Sequence, residues 1–459
     1  MDSQVSLEEG KQEPEDTQHG TTTHRDQNDA LHPVVSLVLP AKNTQSIPNG
    51  GLQAWLQVLG VFCMMINTFG ASYAFGVFEA FYTSGYLNAT AANISIIGAV
   101  QVFFLLASGF ITGPLFDRGY FYHLLWTGAF LTCFGQMMTS ICKEYYQVLL
   151  AQGICVGLGS GCLFTPCVAI LPTYFSTRKL LASGIAATGG PFGGIIFPLM
   201  FRYLEPRIGY GWTVRAIGLV MFGTCGVMIA VLRTRMVTAN GKKIFDWTVF
   251  RDLSFMMFAL AILLGYAGIL VPYFYITNQA LANANASSNA AFALLLVANA
   301  GSVFGRVIPG LLADRYGPLN ILAPSSVVCM VLLWTWIPND SVGGLFAFAA
   351  LYGFFSGYVK PLACHDQADS VNSGFVSLPP VTTVTLSPSL LSVGARMGVV
   401  VFCGGAGALL GEPVAGYILR STGSYLGLKC FAAACLTGST VLLCAVRVAK
   451  TGSHIWRKA

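Results

Sequence analysis

The sequence predicts an all-α membrane protein in which twelve transmembrane helices form two six-helix halves. Three observations carry that expectation. Of 459 residues, 54% are hydrophobic and only 10% charged, and the mean hydropathy is +0.65; a soluble chain of this size could not bury so much apolar surface. A bilayer core about 30 Å thick takes about 20 apolar residues per helix, and residues 51 to 446 accommodate twelve such runs with short loops. Finally, a charged turn occurs twice. Gly113-Pro114-Leu115-Phe116-Asp117-Arg118-Gly119 is matched by Gly310-Leu311-Leu312-Ala313-Asp314-Arg315, with the two aspartates 197 residues apart and each turn placed after the second apolar run of its half.

Taken in order, residues 1–48 hold eight of the nineteen acidic residues with little that could form a core, so a disordered cytoplasmic tail is expected. The first half, 49–232, is expected to place helices near 53–78, 92–115, 121–141, 145–172, 180–202 and 212–232. A central cytoplasmic loop, 233–252, follows with Arg233, Arg235, Lys242, Lys243 and Arg251. The second half, 253–446, reads as helices near 254–278, 291–312, 319–337, 343–386 with an interruption, 392–419 and 425–446, before a cytoplasmic tail, 447–459. With the amino terminus inside, the inner loops and carboxyl tail hold 14 Lys and Arg and the outer loops 5, which the positive-inside rule favours. The sequons at Asn88, Asn93, Asn285 and Asn339 all fall on or beside loops this topology puts outside, and are candidate glycosylation sites.

The tenth run is broken. Leu345 to Gly357 is apolar, Tyr358 to Gly374 brings Lys360, Pro361, Asp366 and Asp369, and Phe375 to Pro379 resumes. Each charge would cost about 2.5 to 3.5 kcal/mol at a helix centre. Excising 358–374 leaves Ser356-Gly357 followed by Phe375 to Pro379, with the spacing of Ser160-Gly161 to Pro166 in the fourth helix. We therefore expect these seventeen residues to be a short in-frame intron retained in the coding sequence; a genuine insertion would have to line a protein-shielded, water-filled cavity.

Some function classes drop out. The net charge of +6 is scattered over loops and forms no basic face, which argues against nucleic acid as a partner. Cys63, Cys133, Cys155, Cys162, Cys167, Cys225, Cys403 and Cys444 sit in apolar runs without CxxC spacing, so neither a disulfide framework nor a metal site is expected, and no cofactor is implied. An enzyme or receptor lacks support, because no nucleophile and base stand at motif spacing.

Charges inside apolar runs are the candidates for function. Arg306, in Gly305-Arg306-Val307, would cost at least about 2.5 to 3.5 kcal/mol on insertion if unpaired. It reads either as the fork for a carboxylate substrate or as an ion pair with Glu412 or another buried acid. Glu412, within Gly411-Glu412-Pro413, reads either as a proton carrier in hydrocarbon or as a solvent-facing group at a break caused by Pro413. Phe69, Tyr73, Phe75, Tyr273 and Tyr275 are aromatic candidates for a cavity lining. The small-molecule substrate is expected to be anionic; the oligomeric state is left open.

The duplicated turn resembles that of the major facilitator superfamily, which carries it between helices 2 and 3 and between helices 8 and 9. The resemblance implies the major facilitator fold, alternating access by rocking halves, and a gating role for Asp117, Arg118, Asp314 and Arg315, each Asp latching a helix amino terminus of the other half. Gly157 to Pro166, Thr173-Tyr174-Phe175 with Arg178-Lys179, and Thr188-Gly189-Gly190 look like the monocarboxylate-porter family, particularly its fungal branch. Gly157, Gly161, Gly184 and Gly189 are expected where helix backbones cross. That family usually opens its first-helix signature with Asp, where this chain has Asn49; its better-studied animal members also place a lysine in the first helix, matching a position near Tyr73, and an Asp four residues before the eighth-helix Arg, where this chain has Ser302. What the resemblance implies is a secondary transporter of a small organic acid, with or without proton linkage, in the plasma membrane, or alternatively an efflux pump for a fungal secondary metabolite.

Overall fold

In the computed structural model the described residues are 50–175, 179–234, 252–316, 319–358 and 393–451. They are helical, with no strand among them. Eight helices are long and apolar enough to cross a membrane, and one of these, Leu181–Val231, is a pair. Gly209 interrupts it with φ 76°, a left-handed conformation glycine adopts freely. The chain turns back there. Phe201 lies against Phe78, Tyr210 against Tyr86, and the backbone carbonyl of Val231 returns to Gln57 near the start of the first helix.

With that pair divided, and with the two shorter apolar helices and Phe121–Thr139 added, the described residues contain twelve long helical segments. The first half holds α1 (Leu52–Tyr86), α2 (Ala92–Phe116), α3 (Phe121–Thr139), α4 (Tyr145–Ile170), α5 (181–208) and α6 (210–231). The second holds α7 (Leu253–Ala282), α8 (Ser288–Tyr316), α9 (Leu319–Trp336), α10 (Val342–Tyr358), α11 (Val393–Thr422) and α12 (Tyr425–Thr451). Of the insert expected at 358–374, only Tyr358, as the last residue of α10, belongs to the described residues; the remainder lies outside them.

Helix ends follow local chemistry. Thr90 accepts from the Asn93 amide at 3.4 Å, Asp252 from Phe255 at 3.3 Å, and Glu144 with Gln147 forms a reciprocal cap before α4; each satisfies amides that the first turn leaves orphaned. After Asp117 and Arg118, Gly119 stands at φ 91° and donates to Phe116 O at 2.9 Å. That closes α2 as a glycine cap does, and explains the glycine after the charged pair.

Small residues let the backbones meet, as lipid-embedded packing requires. Gly157 and Gly161 press on Gln101, Phe104 and Ser108 of α2, Gly189 on Phe62 of α1, and Gly184 on the Arg306 backbone of α8. The halves touch through α2 with α11 and α5 with α8. On the side that the charge bias assigns to the exterior, Phe75 of α1 meets Phe274 of α7 edge-on with centroids 5.9 Å apart, and Arg202 reaches Ser288 O and Asn289 at the start of α8. The halves are closed together at that end.

Candidate functional site

Arg306 sits on α8 where the two halves face each other, and it is 3% exposed. Both its partners come from the opposite half. One terminal nitrogen donates to the Ala187 carbonyl of α5, and the other donates to the Tyr73 hydroxyl of α1 at 3.1 Å. The guanidinium also stands 5.8 Å from the centre of the Tyr73 ring, within reach of a cation–π attraction. Its Nε has no partner. An ion pair with Glu412 is therefore not what holds it: the partners are a carbonyl and a phenol, both neutral.

Of the five aromatic residues singled out in the sequence, Phe69, Tyr73 and Tyr273 gather around this arginine, whereas Phe75 packs on Phe274 and Tyr275 lies beside Ser95 and the Glu412 backbone. Tyr73 stacks on Tyr273 of α7 with centroids 5.7 Å apart and rings 20° from parallel. Phe69, one turn before Tyr73, lies 5.4 Å from Phe164 of α4. The Tyr273 hydroxyl shares a 2.8 Å hydrogen bond with Ser356 of α10. Ser302, one turn from Arg306, is buried with an unpartnered hydroxyl close to Gly357 of α10. Phe69, Tyr73, Tyr273, Ser302 and Arg306 thus meet at one place, built from α1, α7 and α8 and backed by α5 and α10.

Glu412 lies elsewhere. Helix α11 runs unbroken through Pro413, and the carboxyl is 2% exposed, which corrects the solvent-facing alternative: the orphaned backbone position stays inside the bundle. Both its oxygens lack a partner. Of the expected gate, Arg118 is exposed at the end of α2. Asp117, Asp314 and Arg315 are placed as helical residues, but their side chains lie outside those described. Asn88, Asn93 and Asn285 are exposed and Asn339 is half-buried, all at the same end of the molecule; Asn93 is in the first turn of α2, and the Asn339 side-chain Oδ1 accepts from the Ser341 amide and hydroxyl.

Sequence reasoning passed over several polar residues in the bundle. Glu79, in α1, is 5% exposed and takes a short hydrogen bond from Ser95 of α2; its signal was available, since it is the single acidic residue between Asn49 and Asp117. Asn299, two turns from Arg306, is fully buried and donates to Gly194 O of α5 at 3.3 Å. Lys429 of α12 is 2% exposed and donates to Asp340 at 3.0 Å and to the carbonyls of Ile337 and Asn339. The lysine beside it holds the Asp340 carboxyl below the usual carboxylate range. Among the described residues no group of His, Cys, Asp and Glu is placed to hold a metal.

Two helical halves meeting at a buried polar site are the architecture of a membrane carrier of the alternating-access kind. Residues 60–377 match the family model described as Major Facilitator Superfamily, and the chain belongs to that superfamily. It is 42% identical over 372 residues to MFS-type transporter dbaD of Emericella nidulans, a match covering 81% of this chain and 80% of the relative. It is 32% identical to the aspyridones efflux protein apdF of the same organism, covering 89% and 80%, and 33% identical to MFS transporter asaE of Aspergillus flavus, covering 90% and 91%. Among solved structures the fold is similar to FucP in its outward conformation, with TM-score 0.62, 15% identity, 86% of this chain and 99% of that one. The human organic anion transporter MFSD10 aligns with TM-score 0.61 and 12% identity over 86% of this chain and 100% of that one. The chain is a multi-pass membrane transporter for a small molecule.

Proposed function

We propose that this transporter exports a small organic acid bearing a planar, unsaturated group across the plasma membrane. One observation carries the reading: among the described residues, the Arg306 fork is held at the meeting of the halves by neutral acceptors, beside the stacked Tyr73 and Tyr273. A carboxylate or enolate is a stronger acceptor than a carbonyl or phenol, because the bond to it is charge-assisted and, for a fork, bidentate. An entering anion therefore displaces Tyr73 and Ala187 from the guanidinium, and the tyrosine rings cover its flat part. Because those partners belong to α1 and α5 of the opposite half, binding the anion loosens one contact between halves, which ties occupancy to rocking. Asp117, Arg118, Asp314 and Arg315 are the proposed latch on the cytoplasmic side, and Asn88, Asn93, Asn285 and Asn339 the proposed glycosylation positions.

The direction is supported by the relative whose name states efflux. Uptake of a monocarboxylate, which the motifs in α4 and α5 suggest, is the second reading. It is disfavoured by the absence of the first-helix lysine and eighth-helix aspartate found in that family's animal members. Purified protein in vesicles with defined sidedness distinguishes the two. Export predicts that aromatic acids leave the compartment corresponding to the cytoplasm and compete with one another. Transport of lactate or pyruvate alone, with aromatic acids inert, would overturn the proposal.

A further inference from the structure

The two acids outside the Arg306 site come together across the halves. Glu79 of α1 accepts from Ser95 of α2; the Ser95 hydroxyl also shares a 3.4 Å contact with the Tyr275 hydroxyl of α7; and Tyr275 reaches the Glu412 backbone carbonyl of α11 at 3.4 Å. Gly416, one turn beyond Glu412, packs on the Tyr275 hydroxyl and beside the Ser95 hydroxyl, so both glutamates border the same polar cluster. They are 5% and 2% exposed, so both have left water. Among the described residues, the other titratable groups that act on this cluster are phenols: Tyr275, Tyr352 of α10 and Tyr425 of α12. Lys429, one turn along α12 from Tyr425, is engaged by Asp340 instead.

We infer that Glu79 and Glu412 form a proton-binding site that latches the exterior side of the transporter shut. Among the described residues neither carboxyl has a counter-ion, and two buried like charges so placed cannot coexist; the closed arrangement requires the pair to hold protons. Through Ser95 and Tyr275 the cluster bridges α1 and α2 of one half to α7 and the Glu412 backbone of α11 in the other, and the Glu412 carboxyl, with no hydrogen-bond partner of its own, is accommodated there as the neutral acid. When the pair ionises, repulsion and hydration favour parting of the halves at this end, where α1 meets α7 and Gly416 of α11 packs near Ala92 and Ser95 of α2. The ligand is the hydrogen ion itself, taken up while the exterior side is open and retained as it closes. This inference stands independently of the substrate and of Arg306.

Hydrogen–deuterium exchange of the full chain in nanodiscs, without substrate and corrected for intrinsic pH effects, tests it. In the wild type, raising the pH from about 5 to about 8 is expected to speed exchange at least tenfold, against a tenfold step of about 1.4 kcal/mol, in the exterior ends of α2 (92–100) and α11 (412–420). The cytoplasmic ends of the same helices (106–113 and 398–405) are expected to become more protected, which general loosening would not produce. Glu79→Gln with Glu412→Gln, a permanent stand-in for the protonated pair, is expected to keep the exterior ends protected at both pH values. Should the double variant fail to fold, Glu412→Gln alone is expected to flatten most of the wild-type change. Exchange in the wild type that is independent of pH, or a Gln variant that opens with pH as the wild type does, would overturn the latch.

Discussion

A methyl group added at Gly184 probes the contact between halves with the least freedom to relax. An ideal Cβ there would stand 2.6 Å from the Arg306 carbonyl oxygen, whereas a relaxed carbon–oxygen contact is about 3.3 Å. The obstacle is backbone, so no rotamer relieves it; α5 and α8 must part by about 0.7 Å. Overpacking of this kind costs about 1 to 3 kcal/mol, equivalent to about 5- to 150-fold in the equilibrium that keeps the two helices in contact. Gly223, on the same helical pair, supplies the control, since a Cβ there would meet nothing within 4 Å. At that position alanine only gains helix propensity, up to about 1 kcal/mol. Thermal unfolding and transport in nanodiscs or vesicles of Gly184→Ala against Gly223→Ala read the difference directly: the first is expected to melt lower and transport poorly, the second to match or exceed the wild type. Indistinguishable behaviour of the two would refute the close approach of α5 and α8.

Three further outcomes follow from other places in the molecule. At Gly190 a Cβ would come within 3.0 Å of an Arg306 nitrogen and 3.1 Å of Phe69 Cβ, so Gly190→Ala is expected to raise the half-saturating substrate concentration about tenfold, a loss of about 1.4 kcal/mol, with folding retained; unchanged transport kinetics would contradict the site. Asp340→Asn removes the anion facing buried Lys429 and is expected to cost about 1 to 2 kcal/mol, reduced because the carboxyl is half exposed. The sign with pH follows from its depressed folded-state value: the stabilisation is present above the unfolded carboxylate range and lost as pH falls through the folded value, and thermal melts from pH 6 down to 3 should show a wild-type loss that the variant lacks. Sequencing the mature transcript is expected to lack codons for Tyr358 to Gly374; a message encoding Lys360 through Asn372 would refute the intron and make His365, Asp366 and Asp369 the first residues to mutate.

Much of the fold was legible because lipid leaves the chain few choices. Apolar runs must be helices, and the repeated Asp-Arg turn marks where each half reverses. Arg306 was legible for the same reason, as a charge whose burial needs an explanation. Glu79 carries equal surprise but lacks a motif, and its meaning depends on Ser95, Tyr275 and Glu412, which come from three other helices. Spacing along one helix cannot show such a cluster. Pro413 left two readings of Glu412 open because proline commonly breaks helices; inside a bundle, neighbouring groups and helices tolerate it, and α11 passes through. Nor could the sequence tell that Arg306 would face a carbonyl and a phenol, since Ala187 brings only its backbone to the contact.

The central claim is that Arg306 recognises the anionic group of an exported substrate, and substrate binding to Arg306→Ala and Arg306→Lys in vesicles tests it most directly. With both variants shown to be folded and correctly inserted, the alanine form is expected to lose binding and export of the acid, and the lysine form to bind it more weakly by about 1 to 3 kcal/mol, or about 5- to 150-fold, because the point charge lacks the planar fork. The neutral amide analogue of the same compound should bind the wild type and Arg306→Ala alike. Wild-type affinity for the acid in Arg306→Ala would contradict the account.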